Sequence, residues 1–192
     1  MSDRITNILL VGVGGQGILL ASEILSETFK LAGFDVKKSE IHGMSQRGGS
    51  VVSHVRFGKR VNSPIIREGE ADILFGFELL ETYRYLPLVK LGGKVVANDL
   101  QIAPPSVLIG QESYPEGLAE KIRSLFPDFL LVDGLGLATA AGNPKTANTV
   151  LLGAVSTQLD IDEKYWMAAL EKMVPTKALE ANKKAFQLGR TL

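Results

Sequence analysis

Ile8-Leu9-Leu10-Val11-Gly12-Val13-Gly14-Gly15-Gln16-Gly17 is the stretch that decides the fold. An apolar run of strand length, Ile5–Val11, enters a turn with the G-x-G-x-x-G spacing at Gly12, Gly14 and Gly17. Beyond the turn, Ile18, Ala21, Leu25, Phe29 and Ala32 recur at helical spacing, while Glu23, Ser26, Glu27 and Lys30 mark a wet face. Gly33 stops this helix as a C-terminal cap does, and a more polar strand, Phe34–Lys38, follows. Strand, glycine turn, helix and strand make a β-α-β unit.

Outward from that unit, residues 39–50 carry glycines and no periodicity and read as a loop. Val51, Ser53, Val55 and Phe57 alternate with Val52, His54 and Arg56, as in a half-buried strand whose His54 faces out. Gly58-Lys59-Arg60 reads as a hairpin turn into an edge strand, Val61–Ile66, with Pro64 confining it to the edge. Further strands are expected at Asp72–Phe77, Lys94–Asn98, Val107–Ile109 and Phe129–Val132, with helices near 79–90 and 116–125. After Pro144 the pattern is helical to the end: Thr146–Leu159, then a helix capped by Asp162 with Ile161 and Trp166 as its staple, then one striped by Ala178, Asn182, Ala185 and Phe186. The expected fold is a single α/β domain over 1–192. It has three layers, α/β/α, with a mostly parallel doubly wound sheet, an antiparallel hairpin and a helical C-terminal segment.

Composition narrows the function. The chain has 192 residues, 45% of them hydrophobic, enough to bury a core without staples. Lys+Arg and Asp+Glu both number 21, a balance that argues against nucleic acid as a main partner. Neutrality also protects poorly against association, so a homodimer of the isolated chain is among the expectations. With Cys at 0, thiolate catalysis, disulfides and cysteine-ligated clusters are excluded on this chain. No apolar run is long enough to span a bilayer and no secretory signal opens the sequence, so cytoplasm is the default.

Two glycine loops are the candidate site. Gly12, Gly14, Gly15, Gln16 and Gly17 follow a strand and open a helix, where backbone N–H groups can face a phosphate. Glu40, downstream, is a candidate ribose acid, although it follows Lys37-Lys38-Ser39. The bland reading is that these glycines only pack helix against strand. The second loop, His42-Gly43-Met44-Ser45-Gln46-Arg47-Gly48-Gly49-Ser50, puts a guanidinium, an amide and hydroxyls beside a glycine pair. Such a pair can form an anion-binding concavity to which Arg47 adds a forked contact. Loops after the first and second strands of a doubly wound sheet share the carboxyl edge, where ligands bind. His42, Ser45, Gln46, Arg47, Gly48 and Gly49 therefore join the first loop as ligand-binding or interface candidates. His42 and His54 have no metal-ligand spacing between them, and no serine sits in a nucleophile elbow, so neither catalytic nor metal residues are assigned.

On these residues the chain resembles the gamma-type small subunits of 2-oxoacid:ferredoxin oxidoreductases. The stretches that carry the likeness are Ile8–Gly17 (ILLVGVGGQG), Glu40–Gly58 (EIHGMSQRGGSVVSHVRFG), Ala71–Glu78 (ADILFGFE), Asn148–Gly153 (NTVLLG) and Asn182–Gly189 (NKKAFQLG). The HGMSQ wording is nearest to the indolepyruvate branch, although Gly48 stands where that branch often has a bulky residue. The resemblance implies oxidative decarboxylation of a 2-oxoacid to an acyl-coenzyme A and CO2, with electrons passed to ferredoxin. It implies no cofactor on this chain. Thiamine diphosphate and iron–sulfur clusters would sit on a large partner subunit, coenzyme A would be a co-substrate, and ferredoxin would be met through the complex. By the same likeness Gly14–Gly17 and Gln46–Gly49 shape the coenzyme A region or the subunit contact. Two other classes stay open on the residues alone: a free-standing NAD(P)-dependent Rossmann dehydrogenase and a nucleotide-binding module.

Overall fold

The computed structural model describes residues 4–42 and 49–192, residue 42 through its backbone alone. The elements are β1 (Thr6–Val13), α1 (Ile18–Leu31), β2 (Asp35–His42), β3 (Ser50–Gly58), β4 (Ala71–Gly76), α2 (Leu79–Arg84), β5 (Val89–Asn98), α3 (Pro105–Leu108), α4 (Leu118–Leu125), β6 (Leu130–Val132), α5 (Gly134–Ala140), α6 (Ala147–Ser156), α7 (Glu163–Met173) and α8 (Thr176–Arg190).

β1 and β4 are apolar on both faces because they lie mid-sheet, covered from both sides. The described strands form one six-stranded sheet in the order β2-β3-β1-β4-β5-β6. The β1–β4, β4–β5 and β5–β6 pairs are parallel. β3 runs antiparallel to both β1 and β2, so β2 points the same way as β1 with β3 inserted between them. On one face Ile8, Leu10, Val55, Phe57 and Phe75 pack with α1 and the helices from α5 to α8 around Trp166 and Phe186. On the other, Leu9, Val11, Val52 and Leu74 meet Leu79 and Leu80 of α2 and Leu118 and Ile122 of α4. The expected three-layer α/β/α architecture is what these layers make.

α1 ends as its sequence dictates. Gly33 adopts φ 88°, which costs glycine nothing, and its N–H reaches Lys30 O while Phe34 N–H reaches Phe29 O. That hydrogen-bond pair turns Phe34 back onto the core, where Phe34 and Phe29 both pack on the Phe57 ring.

Several local expectations change. The antiparallel hairpin is β2–β3, not a pair made by 51–57 with 61–66. Residues 61–66 form no strand, because side chains take their backbone groups: Arg56 Nη1 donates to Ser63 O and Ile65 O, and Ile66 N–H donates to His54 Nδ1. His54 is consequently buried rather than outward. Val107–Ile109 is not a strand; Pro104-Pro105 starts the short helix α3, whose Leu108 and following Ile109 stay exposed. The helix expected over 79–90 stops at Arg84, gives a 3₁₀ turn at Leu86–Leu88, and passes into β5 at Val89.

Candidate functional site

The carboxyl ends of β1, β4 and β5 and the start of β3 share one edge of the sheet, and a chain of side chains ties them together. Gln16 is the first link. Its Oε1 accepts from Val13 N–H at 2.6 Å and its Nε2 donates to Phe77 O at 2.8 Å, so the amide fills the mouth of the glycine turn. Asn98, at the end of β5, reaches the same Phe77 O and accepts from Gly134 N–H, where α5 begins. The turn itself closes onto β3 through Gly14 N–H to Gly49 O at 2.9 Å.

Each candidate glycine of the first loop has its own reason. Gly12 is buried, and a methyl there would sit 2.7 Å from Phe77 Cβ and 2.6 Å from Gln16 Oε1. Gly15 takes φ 101° in open space. Gly17 caps α1 at φ 79°, where a methyl would meet the Asn148 amide at 2.7 Å. Gly14 serves through its backbone. Two N–H groups of the turn, on Val13 and Gly14, are thus already bonded within the chain.

His42 is the last residue of β2, opposite Val51. Ser45, Gln46, Arg47 and Gly48 lie outside the described residues, as does the side chain of His42. Both ends of the second loop are in place, however. Its exit, Gly49-Ser50, stands beside the first glycine turn, as expected for two loops at one carboxyl edge. Glu40 does not stand ready for a ribose: its Oε1 accepts from Lys38 Nζ at 2.7 Å and from Ser22 Oγ at 3.2 Å.

Sequence reading missed a buried acidic pair at this edge. Glu78 is 1% exposed and Glu81 4%. Glu78 Oε2 caps α2 by accepting from Glu81 N–H, and its Oε1 accepts from Ile102 N–H and, at 2.5 Å, from the Tyr114 hydroxyl. Burial and the adjoining Glu78 carboxylate push the Tyr114 phenol well above its ordinary range, so it remains a donor. Glu81 accepts from Ser50 Oγ at 2.6 Å and Arg84 Nη1 at 2.6 Å. Both carboxylates are therefore hydrogen-bonded through both oxygens and act as anchors: Glu78 holds the 100–114 segment, and Glu81 holds the exit of the second glycine loop. Their signal was available, since Glu78 follows the apolar strand Ala71–Phe77 directly and precedes Glu81 by one helical turn.

Two clefts flank the Gly14–Gly49 link. One, of about 330 Å³, is lined by Val13, Gly14, Gly15, Gly17, Leu19 and Val51 and is mainly apolar. The other, of about 190 Å³, lies over Gly49, Ser50, Glu78, Glu81, Arg84 and Pro105. Among the described residues no group of three or more His, Cys, Asp or Glu could hold a metal ion, and no helix is long and apolar enough to cross a membrane. The geometry of the described residues suits recognition of a ligand or a partner surface.

A family model described as pyruvate ferredoxin/flavodoxin oxidoreductase matches residues 7–192. The chain is 40% identical over 190 residues to indolepyruvate oxidoreductase subunit IorB of Pyrococcus horikoshii, which covers 95% of this chain and 93% of that one. Among solved structures it is similar to the keto/oxoacid ferredoxin oxidoreductase gamma subunit of Geobacter sulfurreducens. That match has a TM-score of 0.69 and 25% identity, over 96% of this chain and 95% of the other. The fold recurs in the 2-oxoglutarate:ferredoxin oxidoreductase of Magnetococcus marinus, solved with 2-oxoglutarate, coenzyme A and succinyl-CoA bound. There the TM-score is 0.73 at 19% identity, and the match covers 99% of this chain but 31% of that longer one.

Proposed function

The chain belongs to the pyruvate ferredoxin/flavodoxin oxidoreductase family, and from that premise we propose that it is the cofactor-free subunit of a 2-oxoacid:ferredoxin oxidoreductase acting on aryl-pyruvates such as indolepyruvate. The observation that carries this reading is the full-length likeness to an indolepyruvate oxidoreductase subunit at 40% identity. The reaction is oxidative decarboxylation of the 2-oxoacid to acyl-coenzyme A and CO2, with electrons leaving to ferredoxin.

A chain with 0 Cys supplies no thiolate for an iron–sulfur cluster. The electron sink and the clusters accordingly belong to a larger partner subunit carrying thiamine diphosphate. What this chain contributes is binding and orientation at its carboxyl edge. The first glycine turn is a poor phosphate cradle, because Gln16 and Gly49 occupy its Val13 and Gly14 N–H groups. The second loop is the better place for an anion, whether a coenzyme A phosphate or the oxoacid carboxylate. Its Arg47 is a planar fork beside Gly48 and Gly49.

Coexpression with the thiamine-diphosphate subunit tests the proposal. The isolated chain is expected to be colourless and inactive. The complex is expected to oxidise indolepyruvate with a low-potential acceptor when coenzyme A is present. Arg47→Ala in that complex should raise the Michaelis constant for coenzyme A or oxoacid by roughly ten- to a hundredfold, the worth of one charge-assisted contact, and Arg47→Lys should recover only part. Turnover by the isolated chain, or an Arg47→Ala complex matching wild type in kinetics and assembly, overturns it.

A further inference from the structure

β2 is the outermost strand at one end of the sheet; β3 pairs with one side of it and no described residue pairs with the other. At 8 residues, Asp35–His42 is long for an edge strand. An unpaired row of N–H and C=O groups of this length templates another strand unless its charges forbid it. Here the charges are of both signs and their order matters. Lys38 and Glu40 lie on one face, 2.7 Å apart, with side chains 27% and 22% exposed.

Two copies joined edge to edge by a two-fold axis run antiparallel, and the axis places one residue opposite its own counterpart. An axis at Lys37 or Lys38 sets lysine against lysine, and one at Glu40 sets carboxylate against carboxylate. An axis at Ser39 sets the small serine against itself. Lys38 then faces Glu40 of the second copy, and Glu40 faces Lys38 of the second copy. On the opposite face, Ile41, 54% exposed, comes under the aliphatic stem of Lys37 from the second copy. We propose that β2 is a homodimerisation edge, pairing antiparallel with β2 of a second copy about Ser39 to make one continuous twelve-stranded sheet (2 × 6). A chain whose 21 basic and 21 acidic residues cancel has no net repulsion to oppose this.

Sedimentation velocity of the full chain over a concentration series tests it. Wild type should move toward the two-chain mass as concentration rises. Lys38→Glu and Glu40→Lys should each raise the dissociation constant about tenfold or more, since two cross-strand pairs turn repulsive, while the double variant K38E/E40K should restore it. The register has its own readout because the chain carries 0 Cys. Under mild oxidation Ser39→Cys should crosslink to itself, and Lys37→Cys and Ile41→Cys should not. A single-chain mass at every wild-type concentration overturns the proposal. So does a dimer indifferent to both reversals, a double variant that stays dissociated, or crosslinking through Ile41→Cys in place of Ser39→Cys.

Discussion

Gln16 fills a role that a glycine-rich turn normally leaves to a ligand. One oxygen and one nitrogen of its amide join the end of β1 to the end of β4. Gln16→Glu keeps the acceptor for Val13 N–H but turns an oxygen toward Phe77 O, so it should not rescue Gln16→Ala. Both should lower stability by about 1–3 kcal/mol in urea titrations, the cost of leaving buried groups unpaired. His54 is a second residue whose role depends on one proton. Its Nδ1 accepts from Ile66 N–H, so the ring is neutral with its proton on Nε2. Burial first, and the Arg56 charge second, hold its pKa below the ordinary 6.5. A folded pKa below the unfolded one means that the unfolded chain binds more protons. This part of the stability is therefore full above about pH 6.5 and is lost as pH falls through and below that value. Urea midpoints between about pH 7.5 and 5.5 should fall for wild type more steeply than for His54→Asn, whose amide oxygen accepts without titrating. Equal slopes would remove His54 as the cause. Neither role is visible in the residues alone: alternation in 51–57 suggests an outward histidine, and only the 61–66 segment laid over it makes the imidazole a buried acceptor.

At the scale of elements, the crossing of α6 and α8 is the most demanding contact. A methyl added at Gly153 would lie 2.1 Å from Phe186 O, and one at Gly189 would lie 2.0 Å from Val150 O, so the helix backbones touch where both side chains are hydrogen. Thr149 and Asn182 add a buried hydrogen bond at the same crossing, which accounts for the amide in an otherwise apolar stripe. Gly153→Ala and Gly189→Ala should each cost about 3 kcal/mol or more, because backbone cannot rotate out of the way as a side chain can. Gly15, where a methyl would meet nothing within 4 Å, separates the two costs: its Ala variant is strained by φ 101° alone, with no atom in its way. Thermal melts of the variants decide it, and a mild Gly153→Ala would mean the helices can part. These helices were legible because their stripes and caps are local: Asp162 accepts from Lys164 N–H as an N-cap should. The segments 61–66 and 107–109 were not. Arg56 and His54, distant in pattern from 61–66, claim its backbone, and an exposed Leu108-Ile109 pair carries no sign of which element it belongs to.

At the scale of the whole molecule, strand order determines what the glycine turn can hold. The G-x-G-x-x-G spacing and a downstream acid are compatible with a dinucleotide site when the second strand lies directly beside the first. Here β3 is inserted, so β2 stands two strand spacings from β1, about 10 Å away rather than about 5 Å. Nothing in a single sequence announces that insertion, since β2 still runs parallel to β1 and the crossover helix α1 looks the same either way. Glu40 is displaced with its strand and is engaged by Lys38 and Ser22. The turn's Val13 and Gly14 N–H groups are engaged as well, and the cleft beside them is lined mainly by apolar atoms. Engaged in this way, the acid and these two N–H groups are not offered to a ribose or a pyrophosphate. Calorimetric titration of the chain with NAD and with NADP should therefore show no binding tighter than about millimolar, near −4 kcal/mol. Gln16→Ala should not improve it, because freeing one N–H does not bring an acid back to the ribose. A micromolar constant for either nucleotide would mean that the inserted strand leaves the site intact, and the dehydrogenase reading would return.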